Sequence, residues 1–214
     1  MRILAIETAS EACSVALFEG GALRAHDHRI LGRGHAERLV PMIAALPDKG
    51  EAQRIMVSLG PGSFTGVRIG IATARALGFA WQAEVLGYPT LALLAAMARS
   101  DPDLAAAGTG ITVCTNGGHG EWFVQDFGGD GRPEATVASL TLDQASARAP
   151  RPVIAGNRAA ELAALHEGAE LRPLVILPDA ARTDLLPAVC LTSDLTPIYG
   201  RGPDATPIAG RTAS

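Results

Sequence analysis

Gly60-Pro61-Gly62-Ser63-Phe64-Thr65-Gly66-Val67-Arg68-Ile69-Gly70 follows an apolar run, Arg54 to Leu59, and opens a long apolar stretch reaching Ala83. The run reads as a buried strand and the stretch as a helix, so the glycines form a strand-to-helix turn. Such a turn offers free backbone N–H groups and the positive end of a helix dipole, which makes it a candidate anion site. Gly60, Gly62, Ser63, Thr65 and Gly66 are its candidate residues. The Gly-Lys-Ser/Thr ending of a Walker loop is missing, and the Gly62–Gly66 spacing breaks Gly-x-Gly-x-x-Gly. From the residues alone, a tight turn that needs positive φ is the preferred reading.

The helix after the loop carries two rows of small residues. Gly66, Gly70, Ala74 and Gly78 recur every fourth position, and Ala72, Ala76 and Ala80 form a second row. That spacing keeps each row on one face, where small side chains let another backbone come close. Only Arg68, Thr73 and Arg75 interrupt its apolar character, so both sides are expected to be covered. One side is assigned to a sheet. For the other, a partner subunit and neighbouring helices of the same chain both remain open. Gly70 and Ala74 are expected on the sheet side, and Ala72, Ala76 and Ala80 on the outer one.

Working outward, Arg2–Ile6, Cys13–Phe18 and Ala22–Arg29 read as a three-stranded meander with Gly20-Gly21 as a hairpin turn. His35 to Leu46 places Leu39, Val40, Ile43 and Leu46 on one helical face, with Pro41 predicting a kink or a late start. Leu91 to Arg99 is a further helix. Asp101 to Gly110 reads as a linker. Beyond it, strands are expected at Ile111–Thr115, Glu121–Phe127 and Glu134–Leu140. A capping box at Thr141 and Gln144 opens a short helix. Then come a strand at Val153–Ala155, a helix capped by Asn157, a strand at Leu174–Leu177 and partial helix over Asp179–Cys190. Element order thus repeats, which predicts two related α/β lobes, 1–104 and 105–200, with 201–214 as a flexible tail.

The chain has 214 residues, of which 48% are hydrophobic, 19% charged and only 4% aromatic, so Ala, Leu and Val must build most of the core. Net charge is -4 and Lys49 is the only lysine, which speaks against a phosphate-gripping surface. Cys13, Cys114 and Cys190 lack metal-like spacing and, with no secretory signal, suggest a reducing cytosol. No uninterrupted apolar run reaches the ~18 residues of a membrane span.

Four segments then carry a resemblance. Ile3-Leu4-Ala5-Ile6-Glu7-Thr8 resembles the opening strand of the TsaB (YeaZ) family. His35-Ala36-Glu37-Arg38-Leu39-Val40-Pro41 is similar to that family's His-Ser/Ala-Glu-x-Leu-x-Pro helix. Gly60 to Gly70 looks like its hallmark, nearly letter for letter, and Pro197-Ile198-Tyr199 resembles its C-terminal Pro-x-Tyr. The match is good over about the first hundred residues and looser beyond.

The resemblance implies a two-lobed actin/Hsp70-like (ASKHA) fold, each lobe a mixed sheet flanked by helices. It implies a cytoplasmic, non-catalytic scaffold or activator that pairs with a TsaD-like transferase. That transferase threonylcarbamoylates adenosine 37 in tRNAs reading codons that begin with A. A TsaE-like ATPase joins through the complex, a homodimer is possible, and tRNA is met only indirectly. Family pairing through N-lobe helices makes His35, Glu37, Leu39, Ile43, Arg68, Ala72, Ala76, Phe79 and Ala80 the candidate partner interface.

The chain departs from its relatives in three places. Glu7 stands where an Asp is usual, and the turn Thr8-Ala9-Ser10 has no glycine to admit phosphate. Cys114-Thr115-Asn116-Gly117 occupies the place of Asp-Ala-Arg, although Glu121 remains. Tyr88 to Leu94 has no histidine where the catalytic sister subunit holds its metal. No catalytic residue, cofactor or metal is therefore expected.

The alternatives are an autonomous actin-like enzyme, either an ATPase or an M22-type metalloprotease homologue, and a stand-alone homodimeric regulator. His26 and His28 share one face of a strand near His35, yet no Cys or further carboxylate is spaced to complete a zinc site, so solvated histidines are preferred. His119 and His166 are isolated. Ser63 lacks the Gly-x-Ser-x-Gly setting of a hydrolase nucleophile.

Overall fold

The computed structural model describes residues 1–102, 104 and 108–200. The expected tail 201–214 and part of the expected linker lie outside the described residues.

The first lobe begins with the meander β1 (Arg2–Glu7), β2 (Ala12–Glu19) and β3 (Ala22–Ile30), joined antiparallel. Helix α1 (His35–Ala44) leads to β4 (Arg54–Ser58), helix α2 (Phe64–Trp81) to β5 (Glu84–Tyr88), and helix α3 (Thr90–Arg99) follows. β4 and β5 add in parallel, giving the order β3-β2-β1-β4-β5. β1, β2 and β4 are apolar nearly throughout because the sheet is covered on both faces.

The second lobe repeats this plan. β6 (Ile111–Gly118), β7 (Glu121–Phe127) and β8 (Ala138–Leu140) form the antiparallel part. Helix α4 (Leu142–Ser146), β9 (Val153–Ala155), helix α5 (Ala159–Ala164) and β10 (Arg172–Leu174) complete it. The order β10-β9-β6-β7-β8 matches the first sheet strand for strand, with β9 and β10 again parallel. Element order alone foretold two related lobes, and the shared topology is its physical counterpart.

Several boundaries moved. β5 was not anticipated: Gln82, in left-handed conformation at φ 52°, ends α2 and frees Glu84–Tyr88 for the sheet. β10 sits earlier than expected, over Arg172–Leu174, and contains Pro173 at a sheet edge. Only Ala138–Leu140 pairs of the expected Glu134–Leu140 strand. Asp179–Cys190 is two 3₁₀ turns, Ala180–Leu185 and Ala188–Cys190, divided at Pro187. α1 runs through Pro41 and stops at Ala44. The capping box at Thr141 and Gln144 is present.

One buried cluster lies between the first sheet and α1 with α2, including Leu4, Ile6, Leu39, Ile43 and Val67. A second spans both lobes through α3, whose Leu91, Leu93 and Leu94 pack with Phe18, Val113 and Phe127. The stretch without histidines is therefore the helix that joins the lobes. A third lies under α4 and α5. Ala, Leu, Ile and Val supply most of all three, as the scarcity of aromatics requires. Among the described residues no helix is long and apolar enough to cross a membrane.

Candidate functional site

The glycine loop is clasped to the β1–β2 turn. Ser63 N–H donates to the Ala9 carbonyl at 2.7 Å, and Thr8 Oγ1 donates to the Gly66 carbonyl at 2.8 Å. Ser63 caps α2 by accepting from Gly66 N–H at 3.2 Å. A Cβ on Gly62 would collide with the Ala9 backbone, and one on Gly66 with the Thr8 carbonyl oxygen. Gly60 is the loop glycine held at positive φ, 87°. Close backbone approach, more than positive φ, is thus what these glycines supply. Two of the loop N–H groups, those of Ser63 and Gly66, are already used within the protein.

The inner row of α2 continues that approach. Gly66, Gly70, Ala74 and Gly78 are buried, with Gly70 against Thr8 and Gly78 against Val85. The outer row stays uncovered: Ala72, Ala76 and Ala80 are exposed, and Phe79 between them is 90% exposed. Val40 of the neighbouring α1 adds apolar surface at 56% exposure, with Glu37 and Pro41 exposed nearby. At the start of α2 the Arg68 guanidinium lies 3.7 Å from the Phe64 ring centroid and donates to Tyr199 Oη at 3.2 Å.

Three residues of the expected interface point the other way. His35, Leu39 and Ile43 are buried in the core, and His35 Nε2 lies 3.1 Å from the Ala12 carbonyl. The apolar face of α1 is the one that packs on β2, so the helix offers its opposite edge to any partner. Glu37, Arg68, Ala72, Ala76, Phe79 and Ala80 are exposed.

Glu7 is fully buried beneath the loop. Its Oε1 accepts from Ala9 N–H at 2.7 Å, and Tyr88 Oη donates to Oε2 at 3.3 Å. Burial raises its pKa to about 7 against the opposing pull of these hydrogen bonds. Burial also pushes the Cys13 thiol up to about 11 and that of Cys114 to about 12, as expected of core cysteines. Among the described residues no cluster of three His, Cys, Asp or Glu is placed to hold a metal, and His26 and His28 sit on the edge strand β3.

A cleft of about 990 Å³ opens between the lobes. Its first-lobe wall includes Ser10, Glu11, Gly62, Phe64 and Thr90, and its second-lobe wall Thr115, Asn116, Phe123 and Asn157. Asn157 was expected to cap a helix. Instead its Nδ2 donates to both Glu11 carboxylate oxygens, at 2.9 and 3.0 Å, while its Oδ1 accepts from Asn116 N–H at 3.0 Å. It thereby ties the lobes across the cleft, a role with no signature in the sequence. The C-terminal strand-like segment closes one end: Ile198 N–H donates to the Leu59 carbonyl, and Gly87 and Thr192 exchange backbone hydrogen bonds.

A family model described as TsaD, tRNA N6-adenosine threonylcarbamoyltransferase, matches residues 28–149. The chain is 43% identical over 100 residues to the Escherichia coli tRNA threonylcarbamoyladenosine biosynthesis protein TsaB, covering 44% of this chain and 43% of that one. The match therefore spans less than half the length of that curated relative. An uncharacterised Mycobacterium tuberculosis protein is 31% identical over 222 residues, covering 97% of this chain and 95% of that protein. Among solved structures, YeaZ from Pseudomonas aeruginosa superposes with a TM-score of 0.71 at 27% identity, covering 92% and 99% of the two chains.

Proposed function

Because the chain belongs to the TsaB (YeaZ) family, we propose that it serves threonylcarbamoyladenosine biosynthesis in tRNA as a non-catalytic subunit that pairs with a TsaD-like transferase. The modified base is adenosine 37 of tRNAs reading codons that begin with A. The observation that carries the reading is the outer face of α2. Ala72, Ala76 and Ala80 leave that helix open to close approach, and Phe79 stands almost wholly in solvent between them. A large exposed aromatic on a surface of small residues marks a place where another protein packs.

The contact face is Glu37, Val40, Arg68, Ala72, Ala76, Phe79 and Ala80. The TsaE-like ATPase joins through the assembled complex, in the cytoplasm. A net charge of -4 gives the subunit little hold on a phosphate backbone, so tRNA is gripped elsewhere in the assembly. A homodimer through the same helix is the competing arrangement, since an exposed small-residue row suits a second copy equally well.

The test is reconstitution. The transferase from the same cell is assayed for threonylcarbamoylation of tRNA with and without this chain, and the pair is sized by mass measurement. A complex with restored modification is expected. Full transferase activity without the chain, or ATP turnover by the chain alone after removal of contaminating ATPases, overturns the proposal.

A further inference from the structure

The two sides of α3 face different spaces. Thr90 and Leu94 line the inter-lobe cleft, whereas Ala92, Ala96 and Arg99 line a second, smaller cavity of about 220 Å³. Positions 92, 96 and 99 share one helical face and 90 and 94 the opposite one, so α3 stands between the two spaces. The far wall of the small cavity comes from the Gly128–Gly131 turn, through Asp130 and Gly131, and from the 3₁₀ region, through Leu185, Pro187 and Cys190. Pairing through α2 makes no use of it.

Charges of both signs meet in this wall. Arg99, in the last turn of α3, is half-buried. Its Nη1 donates to the Gly128 carbonyl at 3.4 Å, a long bond to a neutral acceptor. Among the described residues it forms no ion pair, with Asp130 or any other carboxylate. A guanidinium partly removed from water without a counter-charge is costly, and a carboxylate is the group that fits its fork. Asp130 pairs with Arg132 at 3.7 Å, but the two side chains stand mostly in solvent, at 63% and 79% exposure. Such a surface pair is worth little, so Asp130 stays open to a second cation.

The remaining side chains, Ala92, Ala96, Leu185, Pro187 and Cys190, are small or apolar. Among the described residues no aromatic ring lines the cavity, so nothing there stacks a base. A single guanidinium accompanied by a carboxylate suits neither a phosphate nor a metal. A volume of about 220 Å³ lies below the ~300–1,000 Å³ of pockets for drug-sized molecules, so the occupant is smaller than those.

We propose that this cavity binds a free amino acid with a short apolar side chain. Its carboxylate lies on Arg99, its ammonium on Asp130, and its side chain against Ala92, Ala96 and Leu185. The site does not depend on the pairing proposed above, because α3 is no part of the outer face of α2.

Isothermal calorimetry on the full chain tests this with L-valine as the probe. Isobutyrate, which lacks the ammonium, and isobutylamine, which lacks the carboxylate, are the controls. Valine is expected to bind at about millimolar concentration or below, and each control at least about tenfold more weakly, the equivalent of ~1.4 kcal/mol for one charge-assisted contact. Arg99→Gln and Asp130→Asn are each expected to weaken valine binding about tenfold or more. Ala96→Leu fills the cavity without touching either charge, and is expected to abolish binding while keeping at least the wild-type melting temperature. No binding of valine at about 10 mM, equal binding of either control, wild-type affinity in Arg99→Gln or Asp130→Asn, or binding that survives Ala96→Leu would each overturn the proposal.

Discussion

The inner and outer rows of α2 are built from the same kinds of residue at the same spacing, yet they do opposite things. Gly66, Gly70, Ala74 and Gly78 face β1, β4 and β5 so closely that side chains of Thr8 and Val85, and the Thr8 backbone, occupy the space a larger residue would need. Ala72, Ala76 and Ala80 look outward, beside an almost bare Phe79. A small residue every fourth position therefore records close approach only where a neighbour is present. On the inner side the neighbour is the chain's own sheet. On the outer side, in our account, it is another subunit.

The sharpest way to break this contrast is to enlarge the inner row. In Gly66→Ala the added methyl meets a carbonyl oxygen that is fixed by the β1–β2 turn and cannot step aside. The expected loss is ~3 kcal/mol or more, near the top of the overpacking range, read as a fall in the urea midpoint with unchanged slope. A loss under ~1 kcal/mol would mean that the loop is not clasped to the turn as described.

The floor beneath the inner row holds a titratable group. Glu7 has its pKa raised from 4.5 to about 7 by burial. A carboxyl that binds its proton more tightly when folded stabilises the fold below the unfolded value, and loses that contribution as pH rises through the folded one. Wild-type stability should thus fall by roughly 2–3 kcal/mol between about pH 4.5 and 7 on account of this group. Glu7→Gln should flatten the profile across that window, measured as urea midpoints at pH 4.5, 6 and 8. A variant with the wild-type slope would show that Glu7 is not the group responsible.

Gly78→Ala is a milder case, because the obstructing atom is a Val85 side-chain methyl that can give way. A loss of about 1 kcal/mol is expected, clearly smaller than at Gly66; equal losses at both sites would erase the distinction between backbone and side-chain obstruction.

The strand–glycine loop–helix unit and the doubled element order were legible because each rests on local signals: an apolar run, turn residues and helical periodicity. β5 was not, since Glu84–Tyr88 follows an apolar helix directly and only the left-handed Gln82 separates them. β10 hid behind Pro173, which marks a break in most strands and is accommodated here at a sheet edge. Of the face expected on α1, Leu39, Ile43 and Leu46 are buried, as an apolar stripe beside a sheet must be, whereas Val40 is 56% exposed; the burial of Leu39, Ile43 and His35 takes them off the surface proposed for a partner. The cleft was the least legible part. Thr90, Thr115 and Asn157 lie far apart in the chain and carry no motif, so only the approach of the two lobes brings them together.

The smallest expected effect on the fold is also the most direct test of the account. Ala76→Arg places a long charged side chain on the exposed row, where surface substitutions usually change stability by no more than ~0.5 kcal/mol. The measurement is co-purification of this variant with the TsaD-like subunit of the same cell, alongside a thermal melt of the variant alone. The account predicts a wild-type melting temperature and no complex. A variant that still pairs at the wild-type yield would contradict it and move the partner surface away from the outer face of α2.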